Sequence, residues 1–582
     1  MLKEAIHHRP KDNYSYAYDK DTLHIQLRAK KGDLNEVTLI HGDPFEYYED
    51  KPVLHHSEMR IIRHDEFFDY WFIAIEPIRY RTHYLFSLKD HHNEQVYFAE
   101  KGFLQEIPYD IPTAYFKFPF LNAVDVFQAP EWVKNTVWYQ IFPERFNNGD
   151  EKLNPPGTLA WGSTEPEYDN FFGGDFEGVI QKLDYLKELG INGIYFTPIF
   201  KATTNHKYDT MDYFEIDPQF GDKETFKRLV KECHNRDIKV MLDAVFNHSG
   251  YYFEPFQDVV EHGQNSKYVE WFYINEFPLK TEPIPNYDTF AYEPKMPKLN
   301  TEHLELKRYL LDVARYWVEE FDIDGWRLDV ANEVDHQFWR EFRQEVKQVK
   351  EDVYILGEIW HDSMPWLRGD QFDAVMNYPF TEASLDFFAR GNMNLGQFKN
   401  QINHVMASYP QNVNEVAFNL LGSHDTPRLL TRCNDDVQSA KQLMLFQLTF
   451  VGTPCVYYGD EIGMTGGQDP GCRKCMEWDE SKQDLDLFHF VQNLIQLRKD
   501  EKSLHPASKF RFLTLEAQPR IVSYERSTED ESIIVVINPD DDEKVVELPY
   551  SHSDILISEG CQINEKRLTL GGKGFTIIKE TF

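Results

Sequence analysis

From about residue 125 to residue 502 the chain repeats one pattern. A short apolar run of strand length is followed by a stretch in which apolar residues recur every three or four positions. The runs at 137–142, 193–198, 239–244, 325–329, 353–358, 374–377, 416–421 and 455–459 are the strand candidates. Continuous rather than alternating hydrophobicity is what strands covered on both faces require. Over 176–189 the residues Phe176, Val179, Ile180, Leu183, Leu186 and Leu189 keep a helical period, and Gly190 follows as a stop. Phe338, Phe342 and Val346 form another stripe at i, i+4 and i+8. Eight strands alternating with helices predict an α/β architecture, a closed parallel (β/α)8 TIM barrel rather than an open sheet.

The two ends of the chain read differently. Residues 1–124 carry strand-like segments such as 23–28 and 70–75 and no helix of convincing length, which predicts an N-terminal β-sandwich. Residues 503–582 hold further strand candidates at 532–538 and 574–578, which predict a small C-terminal β-sandwich domain. The barrel, 125–502, is interrupted once. Residues 251–300, rich in Pro, Tyr, Phe and Asn, are too many for a structureless loop in a compact domain. They predict an inserted subdomain, about 249–300, overhanging one end of the barrel after the third strand.

Composition narrows the function. Hydrophobic residues make up 41% of 582, which excludes a mainly disordered chain. The 44 Phe, 32 Tyr and 11 Trp supply flat faces for ring-shaped ligands as well as core material. A net charge of −36 argues against nucleic acid, whose phosphates need clustered cations. No apolar run is long enough to span a membrane, and the first twenty residues lack the apolar segment of a secretory signal. Six cysteines are no disulfide framework. A cytoplasmic protein is expected. Cys472 and Cys475 form a lone C-x-x-C without a second ligand pair, so neither zinc nor redox chemistry is expected of them.

A barrel places its chemistry at the C-terminal ends of its strands, and acids stand there. Asp329 ends the fourth strand, Glu358 ends the fifth, and Asp425 follows the seventh. A single such acid would be read as a helix cap or a surface charge; three at equivalent ends are harder to set aside. Arg327, two residues before Asp329, shares its face of the strand and favours the ionised form a nucleophile needs. Glu358 lies between Gly357 and Ile359-Trp360, apolar surroundings that suit a general acid. Two carboxylates, one ionised and one protonated, are the equipment for cleaving a glycosidic bond. A carboxylate metal site for phosphoryl or hydrolytic chemistry would use the same residue types.

The segments at 243–248 (DAVFNH), 325–333 (GWRLDVANE), 357–360 (GEIW) and 423–425 (SHD) resemble the four signature regions of the α-amylase family, in order and at the expected strands. Met296-Pro297-Lys298-Leu299-Asn300 and Val330-Ala331-Asn332-Glu333 are similar to the subgroup of cyclomaltodextrinases, neopullulanases and maltogenic amylases, which also carries an extra N-terminal β-domain. The resemblance covers essentially the whole chain. It implies retaining hydrolysis of α-1,4-glucosidic bonds in cyclomaltodextrins, pullulan and short maltooligosaccharides, with some α-1,6 cleavage and transglycosylation. Asp329 would be the nucleophile, Glu358 the general acid and base, and Asp425 the residue that steadies the transition state. Tyr208, Asp243, His248, Arg327 and His424 would surround the reacting ring, and Trp360, Met376 and Tyr378 would shape the acceptor side.

The same resemblance implies a calcium ion held by Asn148, Asp150, Asn154, Gly173 and Asp175, although Leu153 stands where a relative has an oxygen ligand. It implies a homodimer in which Phe45 of the N-terminal domain narrows the partner's cleft. Neither a membrane nor nucleic acid is an expected partner. Two other readings use the same fold: a non-catalytic binding protein, disfavoured because all three acids are present, and an α-glucanotransferase, which would use the same acids.

Overall fold

A computed structural model describes residues 1–515, 520–548 and 554–582. Eight strands form the central sheet: β1 (Trp138–Ile141), β2 (Gly193–Phe196), β3 (Lys239–Ala244), β4 (Gly325–Leu328), β5 (Tyr354–Gly357), β6 (Ala374–Val375), β7 (Phe418–Leu420) and β8 (Thr453–Tyr457). They run in the order β6-β5-β4-β3-β2-β1-β8-β7. Every pairing is parallel. A parallel bridge from Met376 to Phe418 joins the two ends of the sheet, so the barrel closes. All residues of β1, β2, β4 and β5 are buried. Inward side chains fill the barrel and outward ones meet the helices, which is why the strands read as unbroken apolar runs.

The helix expected over 176–189 is two segments, Phe176–Gln181 and Leu183–Leu189. Lys182, at φ −107° and ψ 6°, turns the chain between them while its N–H caps the carbonyls of Val179 and Ile180. The apolar stripe crosses the break: Val179, Leu183, Leu186 and Leu189 are all buried. Gly190 ends the second segment at φ 96°, a left-handed cap that favours glycine. Helix His336–Val349 starts on an Asp335 cap and buries Phe338, Trp339, Phe342 and Val346.

The stretch after β3 is an ordered subdomain. It contains helix Glu254–His262 and is tied together by isolated bridges, among them His248–Lys298, Phe272–Leu299 and Ile274–Tyr287. Phe253, Phe256, Trp271, Phe272 and Tyr287 continue the barrel core into it.

The N-terminal domain is two antiparallel sheets. One is built on Leu23–Lys30 and Phe68–Ile75, the other on Leu34–Gly42 and Thr82–Asp90. Leu23, Ile25 and Leu27 of the first share a core with Val37, Leu39, Phe86 and Leu88 of the second, so this part of the chain is a sandwich. In the C-terminal domain, strand Arg567–Thr581 pairs with Glu531–Ile537, Lys544–Glu547 and Asp554–Asn564. Period-two burial divides its two sides. Ile533, Val535 and Ile537 join the barrel core, whereas Ile534 and Val536 form the domain's own core with Leu568 and Leu570.

Candidate active site

At the C-terminal mouth of the barrel lies a cleft of about 870 Å³ lined by Tyr208, His248, Asp329, Glu358, Trp360, His424 and Asp425, among others. Its floor is organised by one cation. Arg327, fully buried on β4, donates through Nη1 to Asp243 at 3.0 Å and to Asp329 at 2.8 Å. Its Nη2 lies 2.8 Å from Glu358 Oε2. β4 places these groups together because Asp329 follows it directly, while Asp243 comes from β3 and Glu358 from the end of β5.

One guanidinium therefore serves three carboxylates. The sequence alone pairs Arg327 with Asp329 and expects an ionised acid. In the folded chain, burial pushes the Asp329 carboxyl well above its ordinary range; Arg327 opposes the shift, and Glu358 and Asp243 reinforce it. Burial likewise raises Asp243, to about 6. Asp329 and Asp243, both raised by burial beside one shared cation, are the perturbed carboxyls expected of a functional site.

Glu358 has a partner for each oxygen. Oε2 also accepts the Val330 N–H at 3.0 Å, and Oε1 accepts the Trp360 indole N–H at 3.2 Å. Trp360, half exposed, stacks on Tyr378 at 3.5 Å with the rings 9° apart. Val330, directly after Asp329, is β-branched yet sits at φ 44° and ψ 43°. That left-handed conformation costs a residue of this type about 1–3 kcal/mol, and it aims the amide at Glu358.

A second network orients the ring site. The Gln140 amide donates to His424 Nδ1 at 2.7 Å, which leaves the proton of a neutral imidazole on Nε2. Burial and neighbouring Arg473 and Arg327 hold His424 well below its usual range, so it is neutral. Nε2–H faces Tyr208 Oη at 2.7 Å, and the Tyr208 hydroxyl donates to Asp243 at 2.9 Å. Tyr195 donates to the same Asp243 oxygen at 2.8 Å. Tyr208 lies parallel to His424, their centroids 5.4 Å apart. His248 stacks on Phe290 at 5.2 Å. Its Nε2 is buried without a protein partner, and burial lowers the ring to about 3, leaving a neutral group free for a ligand hydroxyl. Asp425 is the most open of the acids; Oδ2 is 3.2 Å from His424 Nε2 and Oδ1 is 3.3 Å from Arg473.

The other expected residues are placed less uniformly. Met376 is buried and does not line this cleft; its backbone bridge to Phe418 closes the barrel. Phe45, 74% exposed, stands on the N-terminal domain with the Arg81 guanidinium 4.7 Å above its ring; it does not line this chain's own cleft. Cys472 and Cys475 are free thiols. Burial raises them to about 12 and about 11, so neither is a thiolate at neutral pH.

Asn148, Asp150, Asn154, Gly173 and Asp175 gather beside the start of helix Phe176–Gln181. Asn148 Nδ2 donates to Asn154 Oδ1 at 3.1 Å, and Asn148 Oδ1 is buried without a partner. Gly173 has φ 87°, and a Cβ there would come within 2.2 Å of Asn154 Oδ1. Asp175 caps the helix at Gly178 N (2.6 Å) and accepts Asp150 N (2.8 Å). The donors are hard oxygens around one unsatisfied acceptor, a set that fits calcium.

Several site residues escape the sequence reading. Gln140 and Tyr195 lie within strand candidates, and a polar residue inside an apolar run was the available signal. Asp469 and Arg473, 3.0 Å apart, and Tyr168 lie on loops where no periodicity marks them.

This geometry has close counterparts. The description "alpha amylase, catalytic domain" matches residues 140–507, and "alpha amylase, N-terminal ig-like domain" matches residues 1–122. A cyclomaltodextrinase of Geobacillus thermopakistaniensis is 58% identical over 94% of this chain and 93% of its own length. An intracellular maltogenic amylase of Bacillus subtilis is 50% identical over 92% and 91%. A solved cyclomaltodextrinase superposes with a TM-score of 0.94 at 50% identity, covering 99% of this chain and 100% of that one. With both domains matched and relatives of 58% and 50% identity covering more than nine-tenths of it, the chain belongs to the α-amylase family.

Proposed function

We propose that this protein is a retaining α-glucoside hydrolase acting on cyclomaltodextrins, pullulan and short maltooligosaccharides, with some transglycosylation. The observation that carries the reading is the Arg327 fork, which reaches Asp329 and Glu358 at 2.8 Å each. Carboxylates bridged by one guanidinium lie close together, as in retaining enzymes, where the separation is roughly 5–5.5 Å and the second carboxylate itself attacks the sugar.

Asp329, in its ionised form beside Arg327, attacks the anomeric carbon as the bond to the departing oxygen breaks, and forms the glycosyl-enzyme. Glu358 gives its proton to the departing oxygen and then takes one from the incoming water. Asp425 and His248 hold the hydroxyls of the reacting ring, against which Tyr208 stacks. The Trp360–Tyr378 stack receives the leaving chain, and a sugar bound there in place of water gives transfer. Rates on β-cyclodextrin, γ-cyclodextrin, pullulan and soluble starch, with product sizes, test this. Cyclodextrin rates well above starch are expected; a starch rate far above them, or mainly rearranged saccharides as products, would overturn it.

Three further assignments belong to this proposal. Calcium at Asn148, Asp150, Asn154, Gly173 and Asp175 would tie the loop before the first barrel helix together and take no part in bond cleavage. A homodimer would form through the N-terminal domain, supported by exposed Phe45 and the exposed Tyr47 and Tyr48 of the short hairpin strand that follows it; a monomeric sedimentation coefficient at micromolar concentration would exclude it. A cytoplasmic location is supported by the intracellular relative. Among the described residues no helix is long and apolar enough to cross a membrane.

A further inference from the structure

A second concavity lies at the other mouth of the barrel. It holds about 870 Å³ and shares no lining residue with the cleft above. Asn135, Asn192 and Asp237 reach it from just before strands β1, β2 and β3. Lys509, Ser527 and Thr528 reach it from the C-terminal domain. Among the described residues no aromatic side chain lines it, so a glucan would find no ring to stack on.

One wall carries more positive charge than its partners answer. Buried Arg498 lines the cavity and donates to the carbonyls of Leu448 at 2.8 Å and Phe450 at 3.1 Å. Buried Arg526 donates to the carbonyl of His505, a lining residue, at 2.6 Å and to that of Thr449 at 2.8 Å. The carbonyls of 448–450 end helix Val437–Thr449. A helix end offers about half a negative charge, and here it meets two whole positive ones. Burial lowers Arg498 to about 10, and burial beside Arg498 lowers Arg526 to about 9; both stay cations at neutral pH. Arg526 Nε is buried without a partner.

The rim tips the same way. Lys499 donates to the Gly190 carbonyl at 2.5 Å, and Lys502 and Lys509 are exposed on the lining. Among the described residues none of these three lysines, and neither arginine, forms an ion pair. Four acids line the cavity as well. Asp237 lies 3.6 Å from Lys187, and Glu501 lies 2.5 Å from Lys579. Only Asp500 and Glu529 are left to oppose Arg498, Arg526, Lys499, Lys502 and Lys509. The chain as a whole carries −36, so this recess reverses the prevailing sign. A recess of one sign concentrates the opposite ion.

We propose that this basal cavity binds a small phosphate-bearing anion, inorganic phosphate or a phosphate ester, with Arg498, Lys502 and Lys509 supplying the charge. A dianion answers several unpaired cations better than a single carboxylate does, and lysine meets phosphate as a point charge. The volume suits a small molecule. The proposal does not rest on the hydrolase reading.

The test is calorimetric titration of the full-length chain in about 0.15 M NaCl, where long-range attraction is screened. Inorganic phosphate and glucose 6-phosphate are separate probes. At least one should saturate at one site per chain with a Kd below about 1 mM. A tighter ester makes the ester the ligand; equal or tighter inorganic phosphate makes it free phosphate. The double variant Lys502→Ala/Lys509→Ala should bind about tenfold more weakly, the scale of one charge-assisted hydrogen bond. Its turnover of β-cyclodextrin without phosphate should match wild type. Excess maltose should leave binding of either probe unchanged. No saturable binding of either probe overturns the proposal. So does an unchanged affinity in the double variant, and so does displacement by maltose, which would put the probe in the cleft.

Discussion

Strand β4 has a buried aspartate at each end, and the two are opposites. Asp324, just before the strand, accepts hydrogen bonds from His234 (2.7 Å), Lys239 (3.0 Å), Lys350 (2.9 Å) and the Val240 N–H (2.9 Å). Burial would raise its carboxyl, yet these partners overcome burial and hold it far below the ordinary range. Asp329, just after the strand, has a share of Arg327, and its carboxyl lies far above that range. The lower mouth of the barrel satisfies its acid in full and gains stability. The upper mouth leaves three acids competing for one cation and gains reactivity. A buried carboxylate alone says little; the ratio of acids to cations around it separates a structural residue from a chemical one.

Substitutions at the two ends should part stability from turnover. The largest effect is expected of Asp329→Asn, which removes the nucleophile and lowers kcat on β-cyclodextrin by about four to six orders of magnitude. Glu358→Gln lowers it by about two to four orders on natural linkages, and less on a substrate whose leaving group departs without a proton. Neither variant should lose folding stability, as a thermal melt will check; a melt that falls in step with activity would return both residues to a structural role.

Asp324→Asn should do the reverse. It removes the buried anion shared by Lys239, Lys350 and His234, of which Lys350 and His234 keep Asp322, and costs about 3 kcal/mol in urea unfolding, the low end for a broken buried pair because its partners reach solvent. Turnover per folded molecule should hold; a drop of tenfold or more would erase the contrast.

The pH dependence gives opposite signs for the two acids. Asp324 is depressed in the folded chain, so its contribution is present above the unfolded carboxyl range, roughly pH 4, and is lost as pH falls from there. Asp329 is raised, so the native state binds the extra proton and stability is lost as pH rises through the raised value. Wild type should therefore weaken relative to Asp329→Asn as pH climbs above the ordinary carboxyl range. Parallel curves for the two proteins would mean that Asp329 is not raised.

The smallest effect is expected at the proposed calcium site. Chelation should lower the melting temperature by a few degrees, about 1–2 kcal/mol of bound-state stabilisation at modest saturation, with kcat at low temperature unchanged. An identical melt with and without added calcium would leave Asp175 as a helix cap alone.

The strand alternation and the strand-end acids were legible in the sequence, because burial on both faces and position after a strand are local properties. The helix over 176–189 was legible as a stripe, but its break at Lys182 was not: one turn tightens without disturbing the apolar period. The loop residues Tyr168, Asp469 and Arg473 were illegible because no period marks a loop and their meaning lies in contacts between separate loops, Tyr168–Asp469 spanning 301 positions and Arg473–Asp425 spanning 48.

Spacing along single strands and motifs was enough to read the eight-strand barrel, the order of its domains and Asp329, Glu358 and Asp425 as candidates, since each is a local property of the chain. The charge on Asp329 was set only in the folded chain. Arg327 was available to all three of its acids only once β3, β4 and β5 lay side by side, and burial among those acids, opposed by the one shared cation, is what raises Asp329.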